Sequence, residues 1–382
     1  MQSRGTDAPA EGKVTARRDP GGAQSTLFVG TDKGLFRVRP DAAGGRGRID
    51  GPHLAGYSVL HLVASPVDPR DLLVAADHPV WGSHIYRSID GGEHWTSLDA
   101  TPRHPPQRHA QSLKSIWHLA WAPDGRRLYA GVDPAGLFTS DDRGTTWNDV
   151  PALNAHATCS AWEPSRGLFA LHSICVDRQD PAHLVVAVSA GGVYRSTDAG
   201  ATWEPANSGV RAENLPERFP EAGHNVHRVV MHPRDGSRLY RQCYNGTYRS
   251  DDGGASWVEV TSGLPSDFGY AIACDPADPD VVYQVPESSS HLRATVDGRL
   301  RVYRSTDGGR SWHSASAGLP QQHAYVTVLR DAMESDPGTP GRLALGTSSG
   351  HVFLGLDHGT RWSLVADFLP RVLCVRFLAS GE

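Results

Sequence analysis

The sequence is short of several things, and each shortage removes a class of function. No apolar run is long enough to cross a membrane as a helix, which takes about 20 residues. Basic runs are missing and the formal net charge is −5, so neither a nucleic-acid partner nor a membrane partner is expected. Lysine is scarce. The five cysteines (Cys159, Cys175, Cys243, Cys274 and Cys374) are an odd number without framework spacing. Residues 1–25 are polar, and no apolar segment follows Arg17 and Arg18, so they do not read as a secretory leader. Their small apolar content predicts a disordered tail. Without an export signal, reduced thiols and a cytoplasmic address are the expectation.

Glycine and proline, by contrast, are plentiful, with 41 and 27 copies. That composition suits many short strands joined by turns. The turns share one form, S-x-D-x-G-x-x-W. It occurs at Ser88/Asp90/Gly92/Trp95, Ser140/Asp142/Gly144/Trp147, Ser196/Asp198/Gly200/Trp203, Ser250/Asp252/Gly254/Trp257 and Ser305/Asp307/Gly309/Trp312. A worn copy keeps Asp357, Gly359 and Trp362 but has Gly355 in place of the serine. Serine and aspartate side chains bond back to nearby backbone N–H groups, glycine takes a positive φ, and tryptophan supplies a large apolar face.

The aromatic residue before each turn counts the units. Phe36, Tyr86, Phe138, Tyr194, Tyr248, Tyr303 and Phe353 recur every 50 to 56 residues, which makes seven. Each unit reads as four short strands, A to D, with the shared turn between C and D. Seven such units arranged radially predict an all-β, seven-bladed propeller over residues 26–382. The first unit lacks strand A, and an extra strand at 371–378 follows the last unit. That strand is expected to complete blade one and close the ring.

The repeated turn resembles the Asp-box, or BNR repeat, of sialidases, xyloglucanases, sortilin-type receptors and photosystem II assembly factors. The whole chain resembles single-propeller bacterial proteins classed as sialidase-like or glycosyl hydrolases. The resemblance implies that the boxes sit at the blade periphery, away from any active site. It does not extend to sialidase chemistry. The early Phe/Tyr-Arg-Ile-Pro motif of sialidases is missing, since Val38-Arg39-Pro40 does not supply it, and sialidase propellers have six blades. Xyloglucanases work in a cleft between two propellers, and this chain has room for one.

Strand order places the D–A and B–C loops together on the face opposite the boxes. Most of the 19 histidines fall on that face or at the starts of inner strands. His61, His118, His172 and His227 start the inner strands of four successive blades, His172 and His227 one residue earlier in register than the other two. Neutral imidazoles gathered around an axis suit a divalent transition metal such as Zn, Fe or Cu. Acids share the face. Asp32, Asp77 and Asp133 lie on B–C turns, Glu163 and Asp267 on D–A loops, and Glu287 in a long B–C insertion. Arg330 and Asp331 are expected to end an inner strand, with Tyr270 and Tyr325 at positions matching His172 and His227. The catalytic candidates are Asp133, Glu163, Tyr270, Arg330 and Asp331. A pair of carboxylates there would suit glycoside hydrolysis.

Three readings follow. The first is a small-molecule enzyme or binding protein with a His-rich, metal-binding axial pocket. The second is a glycosidase-like hydrolase using paired carboxylates on a sugar-like ligand. The third is an interaction scaffold.

Overall fold

The computed structural model describes residues 26–378, apart from 42–43, 107–111, 163–168 and 214. The expected tail at 1–25 therefore lies outside the described residues. Seven four-stranded antiparallel sheets form the molecule. Their inner strands are Val372–Leu378 for blade one, then Ser58–Ala64, Ser115–Trp121, Leu171–Val176, Val226–His232, Phe268–Cys274 and Met333–Ser335. Each packs beside the next, and the last packs beside the first.

The ring closes as the strand count requires. Val372–Leu378 pairs antiparallel with Thr26–Thr31, from Thr26 opposite Leu378 to Gly30 opposite Cys374. Glycine is needed at that approach, since a Cβ on Gly30 would lie 2.6 Å from the Val59 carbonyl of blade two. Alternating aliphatic and aromatic side chains fill the space between blades. Between blades two and three these include Leu73, Ile85, Leu119, Leu128 and Phe138. Each fully buried side chain of this size is worth roughly 1.5–3 kcal/mol.

The shared turns are built alike. In all five full copies the serine hydroxyl donates to the aspartate Oδ1 at 2.7–2.8 Å. The same hydroxyl accepts the glycine N–H at 2.7–2.9 Å. Those glycines sit at φ of +86° to +90°, where a Cβ would be strained. Three of the tryptophans stitch blade to blade. Trp257, Trp312 and Trp362 donate Nε1–H to the carbonyls of Ala206, Val260 and Ala315, just past the outer strands of the preceding blades. In the worn copy the Trp362 ring occupies the serine's space, 2.9 Å from where a Cβ on Gly355 would stand.

Five inner strands carry a β-bulge near their start. Register shifts at Leu60, Trp117, His172 and His227, and across Tyr270 and Ala271 in blade six. The bulges explain the one-residue offset among the histidines. Leu60, Trp117, His172, His227 and Tyr270 hold one position, and His61, His118, Ser173 and Arg228 hold the next. An extra residue in one strand re-aims the side chains around it.

Blade seven differs from expectation. Its inner strand begins at Met333, so Arg330 and Asp331 precede the strand rather than ending one, and Tyr325 is exposed outside it. The long insertion after Glu287 is the cause. Thr295 N–H donates to Val326 O, Ala324 N–H to Gly298 O, and Val328 N–H to the Glu287 carboxylate. Ala324 and Val326 thereby bond to the insertion, the Thr327 backbone to Ser348 and the Val328 N–H to the Glu287 side chain, instead of forming the inner strand.

Candidate functional site

A cavity of about 330 Å³ opens at the channel mouth on the face of the B–C and D–A loops. The bulge residues Leu60, Trp117, His227 and Tyr270 form part of its wall, and Arg330 and Asp331 lie within it. The Arg330 guanidinium carbon sits 5.0 Å from the Tyr270 ring centre and 5.9 Å from that of Trp117. Burial pushes its pKa down from the usual arginine value. Its Nε and the Trp117 Nε1 are buried without hydrogen-bond partners.

Deeper in the channel, residues from five blades meet. Asp331 Oδ1 accepts Arg228 Nη1 and Arg376 Nη2, both at 2.6 Å. Arg376 comes from the closing strand, and its Nη2 also lies 2.6 Å from His61 Nε2. The His61 ring packs 3.9 Å from that of His118. Burial holds both imidazoles neutral, with His118 pushed down to about 3. Asp331 is held well below the usual carboxylate range because the attraction of the two guanidiniums outweighs its burial.

The four histidines do not form one cluster. His61, His118 and Asp331 bring ligand-type atoms within 4.8 Å of one another. His172 instead donates Nε2–H to Val226 O at 3.0 Å, and His227 donates Nδ1–H to Gly269 O at 2.7 Å. Each is thus tied to the next blade. The guanidiniums of Arg228 and Arg376 stand where a cation would bind His61 and Asp331, and two positive charges at that spot repel a third. The donor set does not fit a metal, and the metal-centred reading is not supported. Arg228 and Arg376 were not among the candidates, because they look ordinary in strands until the ring brings them together.

Of the catalytic candidates, Tyr270, Arg330 and Asp331 meet at the pocket. Glu163 lies outside the described residues. Asp133 stands on the same face beside a residue not among those candidates, Asp77. Ser83 donates its hydroxyl to Asp77 Oδ1 and accepts the Ile116 N–H at 3.0 Å. Asp133 pairs with Ser115, the residue before Ile116. The two carboxyls therefore flank the start of the inner strand of blade three. Burial is the main cause that raises Asp77 to about 7, with the Asp133 charge adding to it. Burial also raises Asp133, against the pull of Lys114. Ser58 and Ser115 pair with Asp77 and Asp133, and the pocket residues Leu60 and Trp117 follow two positions along the same strands. Beside the pair, His78 Nδ1 accepts the N–H groups of Val80 and Trp81, and His84 Nε2 meets Trp81 O. That turn presents the Trp81 indole to solvent.

No protein-family model matches the chain. Over 224 residues it is 30% identical to the xyloglucanase Xgh74A of Acetivibrio thermocellus, covering 51% of this chain and 24% of that protein. It is 29% identical over 278 residues to the dispase autolysis-inducing protein of Streptomyces mobaraensis, covering 65% of this chain and 72% of that one. Among solved structures, the GH74 xyloglucanase from Xanthomonas campestris superposes with a TM-score of 0.64 at 20% identity, covering 91% of this chain and 53% of that chain. The match to Xgh74A thus spans about a quarter of that relative, and the chain is about half the length of the superposed structure. The structural likeness shows the seven-bladed fold, and the sequence likeness is to xyloglucanases and to the dispase autolysis-inducing protein.

Proposed function

We propose that the chain is a single-propeller, glycosidase-like hydrolase acting on a carbohydrate held at the channel mouth, with Asp77 as general acid and Asp133 as its carboxylate partner. The observation that carries this reading is the pair of carboxyls, Asp133 buried and Asp77 half-buried, that flank one strand start beside the cavity. Two carboxyls of unequal acidity are what glycoside cleavage uses. Asp77, at about 7, keeps a proton available near neutral pH and delivers it to the departing glycosidic oxygen. Asp133 meets the positive charge that develops at the anomeric carbon, directly or through a water. Trp81 offers a flat apolar face for a pyranose ring. The likeness to xyloglucanases supports the reaction class.

The test is turnover of an oligosaccharide panel by the wild type and by Asp77→Asn. The expected outcome is cleavage that falls by roughly 10²–10⁴-fold in the variant. Wild-type activity should decline as pH rises through about 7, where Asp77 loses its proton. Unchanged turnover in Asp77→Asn would sink the assignment, and failure to cleave any oligosaccharide would sink the hydrolase reading.

A further inference from the structure

The cavity has a charge that neither the carboxyl pair nor a neutral glucan explains. Three arginines line it: Arg330 between the rings of Trp117 and Tyr270, and the exposed Arg293 and Arg371 around them. Among the described residues none of the three has an ion-pair partner. Arg293 spends its Nε on the Ser290 carbonyl at 3.1 Å. Arg330 keeps a buried Nε with no partner at all. The one carboxylate in the wall, Asp331, is already shared by Arg228 and Arg376. Glu287 sits within electrostatic reach of Arg293 and Arg330, yet burial lifts it to about 8, so it is protonated at neutral pH and adds no negative charge. A half-buried guanidinium without a counter-ion is costly unless something supplies one.

We propose that the channel-mouth pocket binds the carboxylate of an acidic sugar, a uronic-acid residue, with Arg330 as the anchoring cation and Arg293 and Arg371 completing the positive rim. The inference rests on the carbohydrate reading above and names its substrate class. Arginine suits a carboxylate because its planar fork matches two oxygens at once. The flanking rings of Trp117 and Tyr270 suit the C–H face of a pyranose. A cavity of about 330 Å³ is at the small end for ligand pockets, which run about 300–1,000 Å³, so it takes one sugar unit rather than a length of polymer. A phosphate dianion fits less well, because it brings more charge to desolvate and faces Asp331 across the same wall. A uronate seated there leaves its neighbouring sugar outside the cavity, beyond Leu60 and Trp117, whose strands begin beside Asp77 and Asp133. The bond offered to the acid would be the one next to the charged unit.

The test is calorimetric titration of the full chain with digalacturonate, with its methyl ester and with cellobiose. Digalacturonate should bind at least about tenfold tighter than its neutral ester, the scale of one charge-assisted contact. Arg330→Met, which keeps the stem between the rings and removes the charge, should abolish the preference. Arg371→Ala, at an exposed position where folding is not at stake, should narrow it, and added salt should narrow it further. Equal binding of acid and ester overturns the proposal. So does a preference that survives both substitutions, or inorganic phosphate displacing the uronate at lower concentration than the uronate itself binds. Cleavage of a neutral oligosaccharide that depends on Asp77, with no uronate preference, sinks this inference and leaves the hydrolase reading standing. A uronate preference without any cleavage does the reverse.

Discussion

The two faces of the ring treat the same functional groups in opposite ways. On the box face, each aspartate is surrounded by donors. Asp198 takes the Thr202 hydroxyl, the Thr202 N–H and the Ser196 hydroxyl, and those bonds pull it down to about 2. On the pocket face, Asp77 and Glu287 have one or two donors each and are lifted by burial, to about 7 and about 8. The first arrangement repeats from blade to blade and satisfies the serine, aspartate and glycine groups within each turn. The second does not repeat and leaves Arg330 Nε, Trp117 Nε1 and Glu287 Oε2 without hydrogen-bond partners. Repetition with satisfied bonds is what stability needs. Unsatisfied polar groups in a cleft are what a ligand can use.

The hardest way to break this contrast is to remove what both faces depend on. Deleting residues 371–382 takes away the inner strand of blade one and, with Arg376, the link between Asp331 and His61. Two sheet edges would open, and the expected outcome is aggregation or loss of a cooperative melt. A truncated chain that melts like the full one would contradict the closure. Next in size is a box residue. Trp257 is buried, donates to Ala206 O and packs under the Arg241 guanidinium at 5.3 Å. Trp257→Ala should lower stability by about 3–5 kcal/mol in denaturant titration. Activity per folded molecule should be unchanged, because the loss lies on the far face; selective loss of activity would erase the distinction between the faces.

A smaller effect sharpens the comparison by its sign. Glu287 has a folded pKa above its unfolded value, so its contribution is full below about 4.5 and is lost as pH rises through about 8. Glu287→Gln removes that titration. The variant should gain on the wild type by up to roughly 1 kcal/mol per pH unit across this window, and by nothing further below it. Urea midpoints at several pH values would show it, and a constant difference between the two proteins would refute it. The box aspartates run the other way: their folded pKa is depressed, so their contribution is present above about 3.9 and lost as pH falls towards about 2. Mild acid therefore relieves Glu287 before it harms the box aspartates.

The sequence made one face far more legible than the other. The box turn states its own geometry within eight residues, and five copies state it again, so blade number and ring closure follow by counting. The pocket face depends on events of one residue. A bulge at Leu60 and Trp117 sends His61 and His118 to the channel centre, while a bulge at His172 and His227 ties those rings to the next blade. Spacing finds all four histidines but not where they turn. Asp77 is hidden for a related reason: its environment comes from Ser83 and Ile116, and Ile116 belongs to another blade. The 288–302 insertion, which takes backbone bonds of Ala324 and Val326, displaced the expected inner strand of blade seven because its partners are chosen by folding and not by pattern.

The pairing of Thr26 with Leu378 has a mechanical consequence. The two ends of the described chain are antiparallel neighbours at one end of one ladder, from Thr26–Leu378 inward to Gly30–Cys374. Tension between them loads one rung at a time, because the pull lies along the hydrogen bonds and not along the strands. A ring that resists heat as a whole should therefore peel open from this seam at low force, with blade one first and the Arg376–Asp331 contact as the first internal resistance. Pulling in optical tweezers would test this, and a single high-force rupture of the whole ring would be the contrary result.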